Sequence, residues 1–525
     1  MRRPETFIAG QKDAPVSFMR RLREDQRGNT IAIIAAAMIP MVGVIGCGVD
    51  ISRAYLVKTR LQQACDAGVL GGRKVMTAAG LDTKTKDEVQ KFVDYNFPQQ
   101  TMQTTSFGVT PTLGAGNAID LKLDTVMPTS LMKVLGVDNV PISASCTARQ
   151  DFVNTDVVLV LDTTGSMNCV PSDGPFVNCP TEKAGSKIGA LRQAVGAFYT
   201  ALKPAQTTLE GQGLRLRYGI VPYSSTVNVG ALLMASNPAW VNRWSDYRGC
   251  KTFSGATCTV INPTTTLVDH GSYPGTFWAS WPGCIEERQT VTSIDASSGY
   301  TPPASAYDLD VSTIPSGGSA NTENPTAWNA QDLVATSAKS TISGANACPS
   351  PAQQLQTVAD VSTMDTYTSK LVATGGTYHD IGMTWGARML SQNGLWAANN
   401  PTTYNGFPVN RDLIFMTDGA LAPNPVIYSA WGIEQYEKRV TGTGNSSTDY
   451  DSHQQRFRMM CNAVKGMNVN IWVIAFGSSA GTGLSTEMIN CASNSAQAFK
   501  ADDQATLIAQ FTQIGQTIGA LRLSQ

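Results

Sequence analysis

Five oxygen-bearing side chains stand out by type and position. Asp162, Thr164 and Ser166 form D-x-T-x-S at the end of the apolar run in "DVVLVLDTTGSM", Thr377 follows Gly375 and Gly376, and Asp418 ends the run in "RDLIFMTDG". Carboxylates and hydroxyls without histidine or thiolate suit a hard divalent cation, Mg2+ first and then Ca2+ or Mn2+, rather than a transition metal. Alternate residues of one loop, 162, 164 and 166, can point inward together, and Gly165 is expected to let the backbone turn tightly between them. Asp380, three residues beyond Thr377, is a candidate to brace the metal loop. Each element alone arises by chance, since an acid after a strand often only caps a helix. The conjunction carries the reading.

Catalytic patterns are weaker. "GSSAG", Gly477 to Gly481, has the form and strand-to-helix context of a nucleophile elbow on Ser479, but that fold needs a histidine after the serine. The last histidine is His453. No G-x-x-x-x-G-K-[ST] loop is present, so direct ATP hydrolysis has no support. His379, two residues from Thr377, reads as structural. A non-enzymatic binding protein is expected, with a serine hydrolase as the distant alternative.

The elements that must position these residues follow from periodicity. "TDVVLVLD", "LRYGIVPYS", "RDLIFMTDG" and "NIWVIAFG" read as buried strands; "SKIGALRQAVGAFYTALK" and "QATLIAQFTQIGQTIGAL" carry helical apolar faces. Such alternation predicts an α/β domain over residues 153–525 with a mostly parallel sheet, whose ligands sit at the carboxyl ends of strands. Between about residues 226 and 360 the rhythm lapses into Ser, Thr, Pro, Gly and Trp, an insertion. Its Trp240, Trp244, Trp278, Trp281 and Trp328 are expected to fill a small core rather than line a binding surface.

Of eleven cysteines, Cys47 lies in an apolar run and Cys65 and Cys146 precede residue 150. The other eight, Cys169, Cys179, Cys250, Cys258, Cys284, Cys348, Cys461 and Cys491, form no CxxC and no zinc-like set with the three histidines, so disulfides in an oxidising compartment are expected. The short-range pairings are 169–179, 250–258, 284–348 and 461–491. Charge nearly cancels, 39 Lys and Arg against 40 Asp and Glu, which leaves no basic footprint for nucleic acid.

The N-terminal region supplies the location. Residues 30–49, "TIAIIAAAMIPMVGVIGCGV", are twenty without a charge, enough to cross a hydrocarbon core of about 30 Å. Arg20, Arg21, Arg23 and Arg27 precede this run, so residues 1–29 are expected in the cytoplasm and the rest outside. A helical pattern continues directly past Asp50, which argues against cleavage as a secretory signal. Lipid attachment at Cys47, in "VIGC", is a second way to anchor the chain. Residues 50–150 then read as a long helix followed by a small α+β region, with "AIDLKLDTVM" and "VPISASCTAR" as strands.

"RGNTIAIIAAAMIPMVGVIGCGVDISRAYLVKTRLQQACDAGVLGG" resembles the start of TadE/TadG-like proteins of tight-adherence (Flp) pilus assembly, through Gly28, Asn29, Pro40, Gly48, Asp50 and the "LQQACDAG" helix. Processed pilin-like members carry glutamate five residues after the cleavage glycine; here that position is Ile33, which favours a retained anchor in a bacterial inner membrane, with the bulk periplasmic. The D-x-T-x-S, threonine and aspartate set resembles the metal-ion-dependent adhesion site of von Willebrand factor A domains. That resemblance implies direct ligation by Thr164, Ser166 and Thr377, and ligation through water by Asp162 and Asp418. It also implies an open position for an acidic group on a protein partner, such as a pilus or secretion-machinery component. A surface adhesin for host or matrix ligands is the alternative use of the same site.

Overall fold

The computed structural model describes residues 29–76, 80–114, 118–148, 153–173, 177–247, 250–254, 257–261, 266–316, 321–331, 347–477 and 484–520. Two units divide the chain, Met1–Gln150 and Asp151–Gln525.

In the first unit, helix α1 (Asn29–Val75) runs unbroken through Pro40. Its N-terminal part is apolar, with mean hydropathy 2.3 over the most apolar window, and stands uncovered: Ile31, Ile39 and Val44 are each more than 70% exposed. Past Asp50 the helix becomes amphipathic. Val57, Leu61, Ala64, Cys65 and Val69, spaced three and four residues apart, form one buried stripe. That stripe packs on α2 (Thr83–Asn96), whose first turn is capped by the Asp82 carboxylate, and on a three-stranded antiparallel sheet, β1 (Thr112–Leu113), β2 (Ile119–Pro128) and β3 (Asn139–Ala148). Alternation on β2 sends Ile119, Leu121, Leu123 and Met127 inward, and β3 adds Ile142, Ala144 and Cys146. A disulfide joins Cys65 to Cys146, a pair outside the eight cysteines expected to bond. A small sheet with one covered face has little core of its own, so this covalent link carries part of the stability.

The second unit is a three-layer α/β structure. Its main sheet contains β4 (Asn154–Asp162), β5 (Leu216–Tyr223), β6 (Gln353–Gln356), β7 (Phe407–Thr417), β8 (Asn470–Phe476) and β9 (Ala498–Ala501), in the spatial order β6-β5-β4-β7-β8-β9. Thr403–Tyr404 adds a short hairpin to β7. All neighbours are parallel except β6 on β5 and that hairpin. Because β4 is buried on both faces, its alternate residues serve two cores. Val157, Leu159 and Leu161 meet α3 (Lys187–Gly211) and α6 (Gln504–Ala520), while Val158 and Val160 meet α4 (His379–Leu390) and α5 (Ser446–Gly466).

Among its described residues, the segment between β5 and β6 builds no separate core. Trp240, Trp278 and Trp328 join the cluster on the α4 and α5 side of the sheet, and Trp244 and Trp281 are half-buried. The buried Glu287 carboxylate locks the segment to α4 by accepting from Arg388 Nη1 at 2.7 Å, Trp385 Nε1 at 2.7 Å and Trp328 Nε1 at 3.1 Å. A buried charge persists only with such partners. Cys284–Cys348, Cys169–Cys179 and Cys461–Cys491 are disulfide-bonded. The side chains of Cys250 and Cys258, and Ser479 with its loop, lie outside the described residues.

Candidate functional site

The chain leaves β4 for β5 and β6 on one side, then returns to β7 on the other. The carboxyl ends of β4 and β7 therefore flank the point where strand order reverses, where α/β sheets open a crevice. Asp162 is the last residue of β4, Thr417 is the last of β7, and Asp418 follows it. Asp162 ties them together. Its Oδ1 accepts the Thr164 N–H at 2.9 Å, and its Oδ2 accepts the Thr417 hydroxyl at 2.8 Å and the Asp418 N–H at 3.4 Å.

Across this bridge lie the hydroxyls. Ser166 Oγ donates to Asp418 Oδ1 at 2.9 Å; Thr164 Oγ1 is 2.9 Å from Ser166 Oγ and 3.5 Å from Asp418 Oδ1. The third loop is joined by backbone: Gly165 N–H donates to Gly375 C=O at 3.0 Å and Thr374 N–H to Thr163 C=O at 2.8 Å. Thr377 follows, just before α4, and its C=O accepts the Ala422 N–H at 2.9 Å, which ties it to the loop after β7. Asp162, Thr164, Thr377 and Asp418 are buried, and Ser166 is half-buried, which makes it the side that faces outward.

Gly165 sits where the backbone turns tightly, without a left-handed conformation. Its φ is not positive, and it begins a short 3-10 turn, Gly165–Asn168. A Cβ there would meet the Asn178 side chain, whose exposed amide can move aside, so the glycine eases the approach of the disulfide-closed 169–179 loop to the turn.

Lys187, which sequence reasoning passed over, belongs to the site. It is the first residue of α3, and its Nζ lies 2.9 Å from Asp418 Oδ2, with both side chains fully buried. A lysine in the first helical turn opposes the helix dipole, and that conflict was the available signal. Thr417 was missed too, although it sits in the quoted "MTDG".

Among the described residues, two buried carboxylates, Asp162 and Asp418, face one ammonium, that of Lys187. Burial first, and then the Asp418 charge, push the Asp162 carboxyl up to about 7 against the hydrogen bonds from Thr164 and Thr417. A divalent cation beside Thr164, Ser166 and Asp418 would supply the missing positive charge, and every donor there is an oxygen, so the residues fit a hard cation.

Asp380 faces elsewhere. Its Oδ2 is 2.7 Å from His453 Nδ1 in a buried cluster that also includes Asp449 Oδ1, 3.4 Å from His453 Nε2. Burial alone would lower the His453 pKa; Asp380 and Asp449 outweigh it and raise it to about 9. His379 Nε2 is 3.1 Å from Thr417 Oγ1, and burial pushes its pKa down to about 3, so it stays neutral and supports the threonine that holds Asp162. Cys169, Asp173 and Cys179 also converge, but the cysteines are bonded to each other and Asp173 is taken by Lys183 and the Val170 N–H.

Residues 28–79 match the model of the Tad family, Flp pilus-assembly TadE/G-like. No curated protein matches. Among solved structures, the chain is similar to the pilus adhesin SpaC from Lactobacillus rhamnosus GG at 13% identity and TM-score 0.33, covering 79% of this chain and 34% of that one. It thus spans about a third of that adhesin's length. The PilB minor pilin from Streptococcus sanguinis matches at 10% identity and TM-score 0.32, covering 81% of each chain. The vWF domain of the type V pili tip protein Mfa5 from Porphyromonas gingivalis matches at 11% identity and TM-score 0.30, covering 70% of this chain and 96% of that one.

Proposed function

We propose that this is a non-enzymatic, membrane-anchored protein of Flp pilus assembly or anchoring, whose second unit is a von Willebrand factor A-type domain that docks a protein partner through a divalent cation. Mg2+ is the favoured ion. Thr164, Ser166 and Thr377 would hold it through hydroxyls, with Asp162 and Asp418 supplying the negative charge. A sphere made largely of neutral hydroxyls leaves the cation able to take one more hard anionic ligand, and a carboxylate on the partner provides it. The observation that carries this reading is the meeting of two buried carboxylates and two hydroxyls at the β4 and β7 ends, with one ammonium among the described residues to compensate them.

Location follows from the same reading. The apolar start of α1 would span the bacterial inner membrane with the arginine-rich segment in the cytoplasm, and the disulfides suit a periplasmic bulk. The TadE/G-like match over residues 28–79 supports the pilus system as the context.

The test is an affinity capture from membranes that uses the full chain with Mg2+ or with chelator, beside an Asp162→Ala variant. Partner recovery with Mg2+ that is lost with chelator and in the variant supports the reading. Full pilus assembly in cells carrying Asp162→Ala would sink it.

A further inference from the structure

The connection between β2 and β3 turns back onto the apolar part of α1. Asp50, fully buried, accepts the backbone N–H groups of Ser130 at 3.1 Å, Leu131 at 2.7 Å and Met132 at 2.8 Å. These are the donors that the 3-10 helix Met132–Leu135 would otherwise leave unpaired at its start. Arg53 Nη1 donates to Ser130 Oγ at 2.7 Å, so one helical turn of α1 grips the loop from two sides.

From that grip the loop runs toward the N-terminal end of α1. A Cβ at Gly46 would lie 2.7 Å from Leu131 Cβ, and one at Gly43 would lie 3.4 Å from Leu135 Cδ1. Glycine inside a helix costs about 1 kcal/mol relative to alanine, and here the missing side chains let the loop lie directly on the helix. With a rise of 1.5 Å per residue, Gly46 and Gly43 stand roughly 6 and 10 Å from Asp50 along the axis. Both belong to the uncharged run of residues 30–49.

The loop's outer side is apolar and uncovered. Leu131 is 41% exposed, Val134 84%, Leu135 52% and Val137 39%, and Val42, Val44 and Ile45 of the same stretch of α1 are also exposed. Lys133 is its one charge, on a stem long enough to reach an aqueous boundary. An apolar surface continuous with a membrane-spanning helix is suited to lipid rather than to water.

We propose that residues 130–137 form a membrane wedge, lying among the headgroups and upper acyl chains of the leaflet at the Asp50 end of the span, with Leu131, Val134, Leu135 and Val137 against lipid. The depth set by Gly43 and Gly46 matches the roughly 5–10 Å to which interfacial apolar helices sink. The wedge would fix the tilt and rotation of the anchor, because the sheet that carries it cannot turn without withdrawing it. This rests on α1 spanning the membrane.

The experiment places a photo-crosslinking p-benzoyl-phenylalanine at Val134, at Ile39 in the span, or at the exposed Ser145 of β3, in the full chain reconstituted in phosphatidylethanolamine and phosphatidylglycerol vesicles. Mass spectrometry should find lipid adducts from Ile39 and from Val134, the latter about tenfold above Ser145. Adducts from Ile39 without adducts from Val134 would overturn the wedge and leave the anchor standing. Absence at both positions would overturn the anchor and the wedge with it. Adducts from Val134 to a second polypeptide instead of lipid would show that the face is a protein interface and end the proposal.

Discussion

Lys187 Nζ sits 2.9 Å from Asp418 Oδ2 with neither group reaching solvent, so among the described residues one of the two site carboxylates has an ammonium beside it and the other, Asp162, has none. Replacing the lysine should expose the imbalance. Lys187→Met leaves Asp162 and Asp418 facing each other, and we expect a loss of about 3–5 kcal/mol in stability with chelator present. Mg2+ should recover much of it, because the ion supplies the charge that the lysine no longer does. Chemical denaturation of both proteins, with Mg2+ and with chelator, measures the difference, and equal losses in the two conditions would refute a cation at this site.

The proposed hydroxyl ligation makes a different demand. Thr164→Val keeps the shape of the side chain and removes its oxygen, so Mg2+ affinity should fall about tenfold or more, equivalent to at least ~1.4 kcal/mol. Thr164→Ser should bind as the natural chain does, because the hydroxyl 2.9 Å from Ser166 Oγ is retained. Isothermal titration of the three proteins decides it; indifference to Thr164→Val would place the ion elsewhere.

What the sequence made legible were features written in local period and type. The run before Asp162 reads as a two-sided buried strand because all its residues are apolar, and D-x-T-x-S announces an oxygen-lined loop. The long insertion could not be placed from sequence, since its packing onto α4 rests on Glu287 reaching Arg388 and Trp385, about one hundred residues away in the chain. Lys187 escaped for a related reason, because its partner Asp418 lies 231 residues on. The tight turn expected at Gly165 is present as a 3-10 turn, while the approach of the Asn178 side chain to it is visible only in the fold. Asp380, three residues beyond Thr377 in sequence, is directed by the helix toward His453.

The Cys65–Cys146 disulfide closes a loop with a sequence separation of 81, and it joins the long helix to the edge of a small sheet. Loop closure of that size removes enough unfolded-chain entropy to stabilise by about 4 kcal/mol. Replacing both cysteines with serine should therefore leave the first unit cleavable by protease between residues 80 and 148 while the second unit resists. Limited proteolysis of the full chain, read by mass spectrometry, tests this, and unchanged cleavage would show that packing alone holds the sheet.

His453 gives the fold a pH dependence whose sign can be worked out. Burial lowers its pKa, but the charges and hydrogen bonds of Asp380 and Asp449 outweigh that and raise it to about 9 in the folded chain, against an unfolded value of about 6.5. The imidazolium thus contributes stability that is fully present below about pH 6.5 and is lost as pH rises through about 9, with an upper bound on the order of 3 kcal/mol. Its surroundings fix the direction of the effect. Tyr378 and Trp431 pack their rings against it, and deprotonation leaves Asp380 and Asp449 buried against a neutral ring. In denaturant titrations the natural chain should lose stability between pH 6.5 and 9, and His453→Gln should be weaker at the lower pH and nearly flat across the range. A variant that keeps the full slope would assign it to another group.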